Sequence, residues 1–312
     1  MALTLLLAFL ALILALVLWA VAIEPYRLTE TRHEVALPGL PPAWEGKTVA
    51  LLADFQVGMV LHNLDTIRRA VKRVVDLRPA AVLIAGDFIH QPPENLEGSL
   101  ERVIGLLKPL LDARLPVYGV LGNHDYGVGV SQEEGEGYAA RVEEALEAAG
   151  IPILQNEAVR LELPGHSGNA LYLVGIGEHE FGHDDPERAL AGLPEDAARL
   201  VMMHNPKTFK EVPARAAPLA VAGHTHGGQV RLPFLGDRYW LVPRGSSETN
   251  LSGWVDRQGE GDYGHSGNRL YITLGIGFSV VPMRLFSPPE LTLFTLRRDG
   301  SASRASGHAV HM

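Results

Sequence analysis

The longest apolar stretch of the chain lies at its N-terminus. Residues 2–23, ALTLLLAFLALILALVLWAVAI, contain no charged side chain. Because a helix rises about 1.5 Å per residue, a helix of this length would extend roughly 33 Å, enough to cross the hydrocarbon core of a bilayer. The pattern predicts a single-pass N-terminal transmembrane helix that anchors the chain in the cell membrane.

A cleaved signal peptide is the alternative interpretation, because Ala20, Val21 and Ala22 form a small-residue cleavage motif. The apolar run is longer than the roughly 7–15 residues of a signal-peptide core, and no basic residue precedes it, so we favour the anchor. Acidic and basic residues both follow the run, so the side of the membrane that the rest of the chain occupies stays open.

Beyond a connector expected at 24–46, short apolar runs alternate with amphipathic stretches. These predict strands at 48–53, 80–85 and 116–121 and helices at 63–77 and 96–111. Such alternation is typical of a parallel sheet with right-handed crossovers. The later half is expected to be richer in sheet, with short strands at 171–176, 199–203, 270–276 and 291–296.

Composition narrows the possible chemistry and partners. The 312 residues are 46% hydrophobic, which suits one catalytic-size domain, predicted at 47–300, before a flexible tail at 301–312. A formal net charge of −9 argues against a nucleic-acid-binding protein, since phosphate backbones are bound by clusters of Lys and Arg. The chain has no cysteine, so nitrogen and oxygen atoms must bind any metal.

Polar side chains that can bind metals occur in five separate segments. They are Asp54 and Gln56 in ADFQVG, Asp87 in AGDFIH, Asn123, His124 and Asp125 in LGNHDYG, His204 in MMHNP, and His224 and His226 in GHTHGGQV. Each alone is an ordinary turn or capping residue. Together they predict one site, because the carboxyl ends of parallel strands meet at the same edge of a sheet.

The last of these segments adds backbone evidence. Gly223, Gly227 and Gly228 flank the two imidazoles, as expected of a tight loop whose backbone approaches metal ions closely. In an extended segment His224 and His226 would point to the same side. Carboxylates, amide oxygens and imidazoles suit Mn, Fe, Zn or Mg, and two such ions roughly 3.5–4 Å apart activate water for phosphoryl displacement.

Five ordered motifs resemble those of the calcineurin-like metallophosphoesterases over roughly residues 48–230: Asp54, GD at 86–87, GNHD at 122–125, His204 and GHTH at 223–226. The segment PMRLFSPPEL, 282–291, resembles the closing strand region of the bacterial membrane-associated branch of that superfamily. The resemblance implies an α/β fold, a four-layer α-β-β-α sandwich of two mixed sheets packed face to face with helices outside.

The resemblance also implies a role for each residue of the site. Asp87 would bridge two metal ions, Asp54 and His226 would hold the first, and Asn123, His204 and His224 would hold the second. His124 would protonate the leaving oxygen of the substrate phosphate or stabilise the charge of the transition state, and Asp125 would orient the His124 imidazole.

Gln56 departs from the family pattern, which has histidine two residues after the first aspartate. An amide oxygen is a weaker and harder ligand than imidazole, so the first metal site should bind more loosely and favour Mn or Mg over Zn. His62 and His90 are near in sequence and are alternative ligands, although each is more typical of a loop.

A further group of acids and histidines lies at 177–190. Within it, the DDP at 184–186 predicts the start of a helix, because acidic residues and proline favour the first turn. Glu178, His179 and His183 are the alternative candidates for the mouth of the site, where they would select substrate.

The resemblance implies a membrane-anchored hydrolase with two divalent metal ions, Mn²⁺ first among them, acting on a phosphodiester, phosphomonoester or pyrophosphate. The predicted anchor favours a phosphorylated small molecule or a lipid-linked compound, and the pyrophosphatases that split UDP-2,3-diacylglucosamine belong to the same superfamily. A non-catalytic metal-binding module is the alternative, if Gln56 has cost the chain its first metal. His124, which serves catalysis, argues for the enzyme.

Substitution of Gln56 tests its role at the first metal site. We expect Gln56→His to tighten the first metal site and to shift its preference toward Zn²⁺, because an imidazole nitrogen replaces an amide oxygen. Titration of the variant and of the unchanged chain with Mn²⁺ and Zn²⁺ measures both effects. Equal affinities in the two titrations would show that Gln56 does not contact the metal.

Overall fold

The computed structural model describes residues 1–59, 63–91, 95–166, 170–231, 252–255, 264–279, 281–299 and 308–311. Its α-helices are α1 (Ala2–Ala22), α2 (Leu64–Leu77), α3 (Leu96–Asp112), α4 (Asn123–Tyr126), α5 (Gln132–Ala148) and α6 (Pro186–Leu190). Its strands are β1 (Thr29–Leu37), β2 (Thr48–Leu52), β3 (Ala81–Ala85), β4 (Val117–Val120), β5 (Glu157–Leu161), β6 (Leu171–Gly175), β7 (Arg199–Met202), β8 (Ala220–Ala222), β9 (Gly253–Trp254), β10 (Leu270–Ile272), β11 (Glu290–Arg298) and β12 (His308–His311). Short 3-10 helices cover Glu24–Tyr26, Pro42–Trp44, Pro206–Glu211 and His226–Gly228.

The strands form two six-stranded mixed sheets. The first has the order β12-β1-β11-β2-β3-β4, and the second has the order β5-β6-β7-β8-β10-β9. Strands β2, β3 and β4 run parallel, as do β6, β7 and β8, while β11 is antiparallel to β2. The predicted fold class, two mixed sheets with helices outside, is confirmed.

Side chains from alternate positions of each strand explain the layers. In the first sheet, Val49 and Leu51 of β2 pack with Leu173 of β6 and Leu200 of β7 in the core between the sheets. The next residues along β2 point to the opposite face, where they pack against α2, α3 and α5. Because both faces of the central strands are covered, their sequences are almost continuously apolar.

Most of the predicted strands and helices lie within a residue or two of their expected bounds. The exception is the strand expected at 270–276, which ends at Ile272. The chain turns away there because Thr273 Oγ1 and the backbone N–H of Leu274 both donate to the buried carboxylate of Glu290, at 3.0 and 2.9 Å. Gly275, with φ of 65°, then brings the backbone against Asp54.

Two segments outside the predicted domain also join the first sheet. Residues 29–37 of the expected connector form β1, which pairs in parallel with β11 over its whole length. Residues 308–311 of the expected tail form β12, which pairs with the start of β1 in the antiparallel direction. The sequence TETRHEVAL of β1 carries four charged or titratable side chains in its first six residues, so its strand pattern is weak.

A buried carboxylate, Glu30, fixes β1 against α2. Its side chain is 5% exposed and accepts hydrogen bonds from Arg73 of α2 at 2.7 Å and from Arg32 at 2.7 Å. Burial alone would raise the pKa of Glu30, but the two arginines outweigh it, and the pKa lies below its ordinary value. The ionised form of Glu30 is therefore more stable in the folded chain than in the unfolded chain, so its charge stabilises the fold.

The helix α1 is the one apolar helix in the described part of the chain that is long enough to cross a membrane. Its side chains are exposed along nearly its whole length. An apolar helix that is so exposed is typical of one that contacts a membrane or another protein.

We expect Glu30→Gln to lower the free energy of unfolding by about 1.5–3 kcal/mol at pH 7, the usual value of a hydrogen bond to a charged group. Because the folded pKa is depressed, this stabilisation is present above the unfolded pKa of about 4.5 and is lost as the pH falls through the folded pKa. Urea unfolding at pH 7 and pH 3.5 measures the difference. The matched control is Lys72→Gln, which removes the exposed pair with Asp76 and should cost no more than about 0.5 kcal/mol; equal losses in the two variants would contradict the role of Glu30.

Candidate metal centre

The carboxyl ends of strands from both sheets meet at one edge of the molecule. Asp54 and Asp87 follow the neighbouring parallel strands β2 and β3, and α4 follows β4. From the second sheet, His204 follows β7 and His224 follows β8. The backbone N–H of His224 donates to Asp54 Oδ1 at 2.9 Å, so a direct hydrogen bond joins the two sheets at this edge.

Asp54, Asp87 and His226 form the first group of ligand atoms. One carboxylate oxygen of each aspartate and one ring nitrogen of His226 all lie within 4.8 Å of one another, and all three side chains are buried. Asp54 Oδ2 and His226 Nε2 have no hydrogen-bond partner among the described residues. Unpartnered buried atoms of this kind fit a cation, which would satisfy them together.

Asn123, His204 and His224 form the second group, which also adjoins Asp87. Asn123 Oδ1 lies 3.1 Å from His204 Nε2 and 3.0 Å from His224 Nδ1, while His204 Nε2 is 3.4 Å from Asp87 Oδ1. The other nitrogen of His204, Nδ1, lies 2.8 Å from the backbone carbonyl oxygen of Ala85. A donor–acceptor contact of this kind leaves Nε2 as the nitrogen that can bind a metal.

The electrostatics of the site also fit cations. Burial raises the pKa of Asp54 to about 6, and the neighbouring Asp87 carboxylate adds to the rise. Burial alone would lower the pKa of His204, but the carboxylates of Asp87 and Asp54 raise it to about 10. A proton on His204 thus balances the buried negative charge in the metal-free chain, and divalent cations would take over that role.

The backbone is strained at the residues that carry the ligands. Asp54, Gln56, Asp87, His224 and His226 have φ values of 56°, 51°, 57°, 71° and 50°, in the left-handed region that non-glycine residues rarely adopt. The expectation that the GHTH segment is extended is therefore wrong. Left-handed turns at both histidines direct one ring to each group of ligands, and clustering of such residues is typical of functional sites.

Two glycines of the GHTHGGQV segment meet separate demands of this geometry. A Cβ atom on Gly223 would lie 2.9 Å from Asp54 Oδ2, so a side chain there would displace the carboxylate. Gly227 has φ of 62°, and a Cβ atom on it would lie 2.3 Å from Leu274 Cδ2. The expected close approach of this loop to the ligands is observed.

Asp125 does not contact the His124 imidazole, contrary to the prediction that it orients the ring. Its Oδ2 accepts hydrogen bonds from the backbone N–H groups of Asp87 and Gly122, each at 2.9 Å, and its Oδ1 accepts from the backbone of Ile89 at 3.1 Å. These three donors occupy the carboxylate. Asp125 therefore holds together the backbones that carry Asp87 and Asn123, and it is a positioning residue.

His124 instead lies against His90. The two rings are stacked with centroids 5.0 Å apart, and the backbone N–H of His124 donates to Asp87 Oδ1 at 2.9 Å. His124 Nδ1 is buried without a hydrogen-bond partner among the described residues, and burial lowers the pKa of the ring. The imidazole is therefore held beside the metal-ligand groups, and its burial favours the neutral ring.

Gln56, a predicted ligand of the first metal, connects Asp87 to His90. Its Nε2 donates to Asp87 Oδ2 at 2.5 Å, and its Oε1 lies 2.7 Å from His90 Nδ1. Burial lowers the pKa of His90 to about 4, so Gln56 accepts from a neutral imidazole. The alternative ligand His62 lies outside the described residues.

The group at 177–190 divides into structural and site-facing residues. The helix start is found as predicted, since Asp185 caps α6 by accepting from the backbone of Arg188 at 2.9 Å. His179 is paired with Asp184 at 2.6 Å, and the ring of His183 stacks on Tyr126. These two histidines have partners within the fold, and these contacts do not join them to the predicted ligands.

Sequence reasoning missed two charged residues that approach the predicted ligands. Glu180 Oε1 lies 3.6 Å from His224 Nε2 at the exposed side of the site. Arg284 is fully buried, and its Nη2 lies 3.3 Å from His226 Nδ1. For Arg284 the sequence did contain a signal, a single arginine in the apolar and proline-rich segment PMRLFSPPEL. An arginine that is buried with such a segment is expected to have a specific partner.

Two aspartates of the site should respond in opposite ways to neutralisation. Asp54→Asn removes one of two adjacent buried charges, so we expect it to raise the Tm of the metal-free chain by about 2–4 °C, equivalent to about 1 kcal/mol. Burial and the Asp87 charge also raise the pKa of Asp125, to about 7, but Asp125→Asn turns an amide NH2 group toward at least one of three backbone N–H donors and should lower stability by about 1–3 kcal/mol. Thermal unfolding in the presence of a chelator measures both, and a shift of the two Tm values in the same direction would contradict this arrangement.

Comparison with known proteins agrees with this geometry. The chain is 25% identical to the uncharacterised metallophosphoesterase YkuE of Bacillus subtilis, over 88% of this chain and 87% of that protein. It is 29% identical to the phosphodiesterase YaeI of Escherichia coli, over 80% and 81% of the two chains. It is also 27% identical to a transmembrane protein with a metallophosphoesterase domain from Danio rerio, over 92% of this chain and 62% of that protein.

A model of the calcineurin-like phosphoesterase family matches residues 47–228, which contain every predicted ligand and the His124 imidazole. The match spans more than half of the 312 residues. With a buried carboxylate-imidazole centre at the joint edge of two mixed sheets, the chain belongs to the calcineurin-like phosphoesterase family.

Proposed function

We propose that this phosphoester hydrolase is anchored in a membrane by α1 and cleaves a phosphodiester, phosphomonoester or pyrophosphate bond of a phosphorylated small molecule or a lipid-linked substrate. The observation that carries the proposal is the buried cluster of Asp54, Asp87 and His226, in which Asp54 Oδ2 and His226 Nε2 have no hydrogen-bond partner among the described residues. Atoms of this kind are costly unless a cation and an anionic substrate satisfy them.

The proposed ligand sets follow the two groups of side chains. Asp54 and His226 would hold the first divalent ion, Asn123, His204 and His224 would hold the second, and Asp87 would contribute to both. When bound, such ions, Mn²⁺ in preference to Fe, Zn or Mg, would activate water and neutralise the charge of the phosphate oxygens. Gln56 supports this centre through Asp87, because its amide N–H donates a hydrogen bond to one oxygen of that carboxylate.

His124 serves the leaving group. Its imidazole is buried against His90, and its backbone is tied to Asp87, so its ring cannot swing away from the site. Burial lowers the pKa of the free ring, but the negative charge of a bound phosphate would favour a proton on it, and that proton passes to the oxygen that leaves the phosphorus. Asp125 contributes by holding the loop that carries His124 rather than by touching the ring.

Two observations support membrane anchoring. The exposed apolar surface of α1 matches a bilayer in length, and the Danio rerio relative is named as a transmembrane protein. The net charge of −9 is unfavourable for nucleic acid, while an anchor places the site near phosphates carried by lipids. A UDP-2,3-diacylglucosamine-type pyrophosphatase is one activity within this class.

The experiment that tests the proposal uses the full chain in detergent micelles, stripped and reloaded with Mn²⁺, with bis(p-nitrophenyl) phosphate and p-nitrophenyl phosphate as probes. We expect hydrolysis that a chelator abolishes. His124→Ala should lower kcat by about 10²–10⁴, the usual contribution of general acid catalysis, with bound metal unchanged. Metal binding at full stoichiometry without hydrolysis of either probe would instead support the non-catalytic module.

A further inference from the structure

The C-terminal end of α1 is fixed to the catalytic domain rather than joined to it by a free linker. The carbonyl oxygen of Ala20 accepts a hydrogen bond from the backbone N–H of Arg284 at 2.8 Å, and the Ala20 side chain is buried against Val230 and Leu285. Because both backbone and side chain are engaged, the last turn of the helix and the 284–287 loop form one unit.

A buried carboxylate strengthens this attachment. Glu24, directly after α1, accepts from the indole N–H of Trp19 at 2.8 Å and from the backbone N–H of Ser287 at 2.6 Å. The next residue, Pro25, accepts at its carbonyl oxygen from the side chain of Asn63 at 3.0 Å. The chain is thus held at successive residues as it leaves the helix.

The attachment lies at the end of the sheets that carries the metal centre. Strand β1 begins at Thr29 opposite Glu290, and β11 then runs antiparallel to β2, so this end of β1 lies beside the Leu52 end of β2, which leads to Asp54. The 284–287 loop also contacts a metal-ligand residue. Ser287 Oγ donates to the carbonyl oxygen of His226 at 2.8 Å.

The same loop exposes a large apolar side chain. Phe286 is 47% exposed, although its neighbours Leu285 and Ser287 are buried. Its φ of 55° is unfavourable for a bulky residue, so the fold retains a strained conformation that keeps the ring outside. Among the described residues beyond α1, the large apolar side chains that are exposed are Ile23, Tyr26, Val128 and Phe286.

Three of these four residues belong to segments attached at the end of the helix. Ile23 and Tyr26 flank Glu24, and Phe286 precedes the Ser287 backbone that binds Glu24. Aromatic side chains at the end of a transmembrane helix favour the interface between lipid headgroups and hydrocarbon. Ile23, Tyr26 and Phe286 all lie in segments that are attached at the end of α1, so the membrane that takes up α1 is the partner that these exposed side chains would meet.

We propose that Ile23, Tyr26 and Phe286 form a bilayer-seating surface that holds the metal centre at the membrane, and that the substrate is a phosphoester carried by a lipid of the same membrane. The inference rests on the proposed function. A fixed helix end gives the site a constant height and direction at the bilayer, which a flexible tether would not. Confinement to one surface raises the effective concentration of a lipid substrate but does nothing for a soluble one.

The first experiment tests the seating surface without measuring activity. The chain has no cysteine, so Phe286→Cys in the full chain takes a single environment-sensitive fluorophore, and the protein is then reconstituted in phosphatidylcholine vesicles. We expect a blue-shifted emission that nitroxide-labelled lipids quench. The control is Lys47→Cys, which precedes β2 at the opposite end of the strand from Asp54 and should show neither effect. Equal quenching at the two positions, or none at either, would overturn the proposal.

The second experiment tests the substrate class with two matched diesters. Hexadecyl p-nitrophenyl phosphate is held in the vesicles, and methyl p-nitrophenyl phosphate stays in solution. We expect Phe286→Asn, which suits a left-handed backbone, to slow hydrolysis of the vesicle-borne ester roughly tenfold through lost apolar burial. Hydrolysis of the soluble ester should not change, and Phe286→Leu should retain both rates.

The outcomes separate the two proposals. If the unchanged chain hydrolyses neither diester, and neither p-nitrophenyl phosphate nor pyrophosphate, while the label at position 286 is quenched, the proposed function fails and the seating surface stands. If it hydrolyses the soluble ester as fast as the vesicle-borne one, and Phe286→Asn slows neither, the phosphoesterase stands and the lipid-borne substrate class is wrong.

Discussion

Two carboxylates, Asp54 and Asp87, are buried next to each other where the two sheets meet, and their combined negative charge is the constraint on which the site depends. Burial and mutual repulsion raise the pKa of Asp54, and in the metal-free chain a protonated His204 balances part of the charge. Such an arrangement is costly to folding. It fits cations that neither sheet could hold alone, since each sheet supplies only some of the candidate ligands.

The fold serves this centre through its backbone. Parallel strands bring their carboxyl ends to one edge, left-handed turns at five residues aim the side chains inward, and the carboxylate of Asp125 ties three backbone N–H groups from the β3 and β4 loops. On the opposite side of the centre, Arg284 and Ser287 connect His226 to the end of α1. Helix α1 and the candidate metal centre are therefore parts of one continuous framework.

Much of this could be predicted from the sequence, for physical reasons. Strands such as β2 and β3 are apolar because both faces are covered, and the ligand motifs stand directly after them. The sequence pattern did not predict the strand β1, because a charged residue, Glu30, occupies one of its buried positions. Glu30 can be buried there because Arg73, distant in sequence, pairs with it. The contacts of Asp125 and the place of Arg284 depend on tertiary hydrogen bonds, which local sequence patterns do not encode.

The most direct measurement of the central claim is an electron paramagnetic resonance spectrum of the full chain loaded with Mn²⁺. A carboxylate shared between two sites predicts a pair of ions close enough for exchange coupling, at roughly 3.5–4 Å, and a spectrum that reflects their interaction. Asp87→Asn should convert this spectrum to that of isolated ions. A six-line spectrum of uncoupled Mn²⁺ from the unchanged chain at saturating metal would contradict a shared centre.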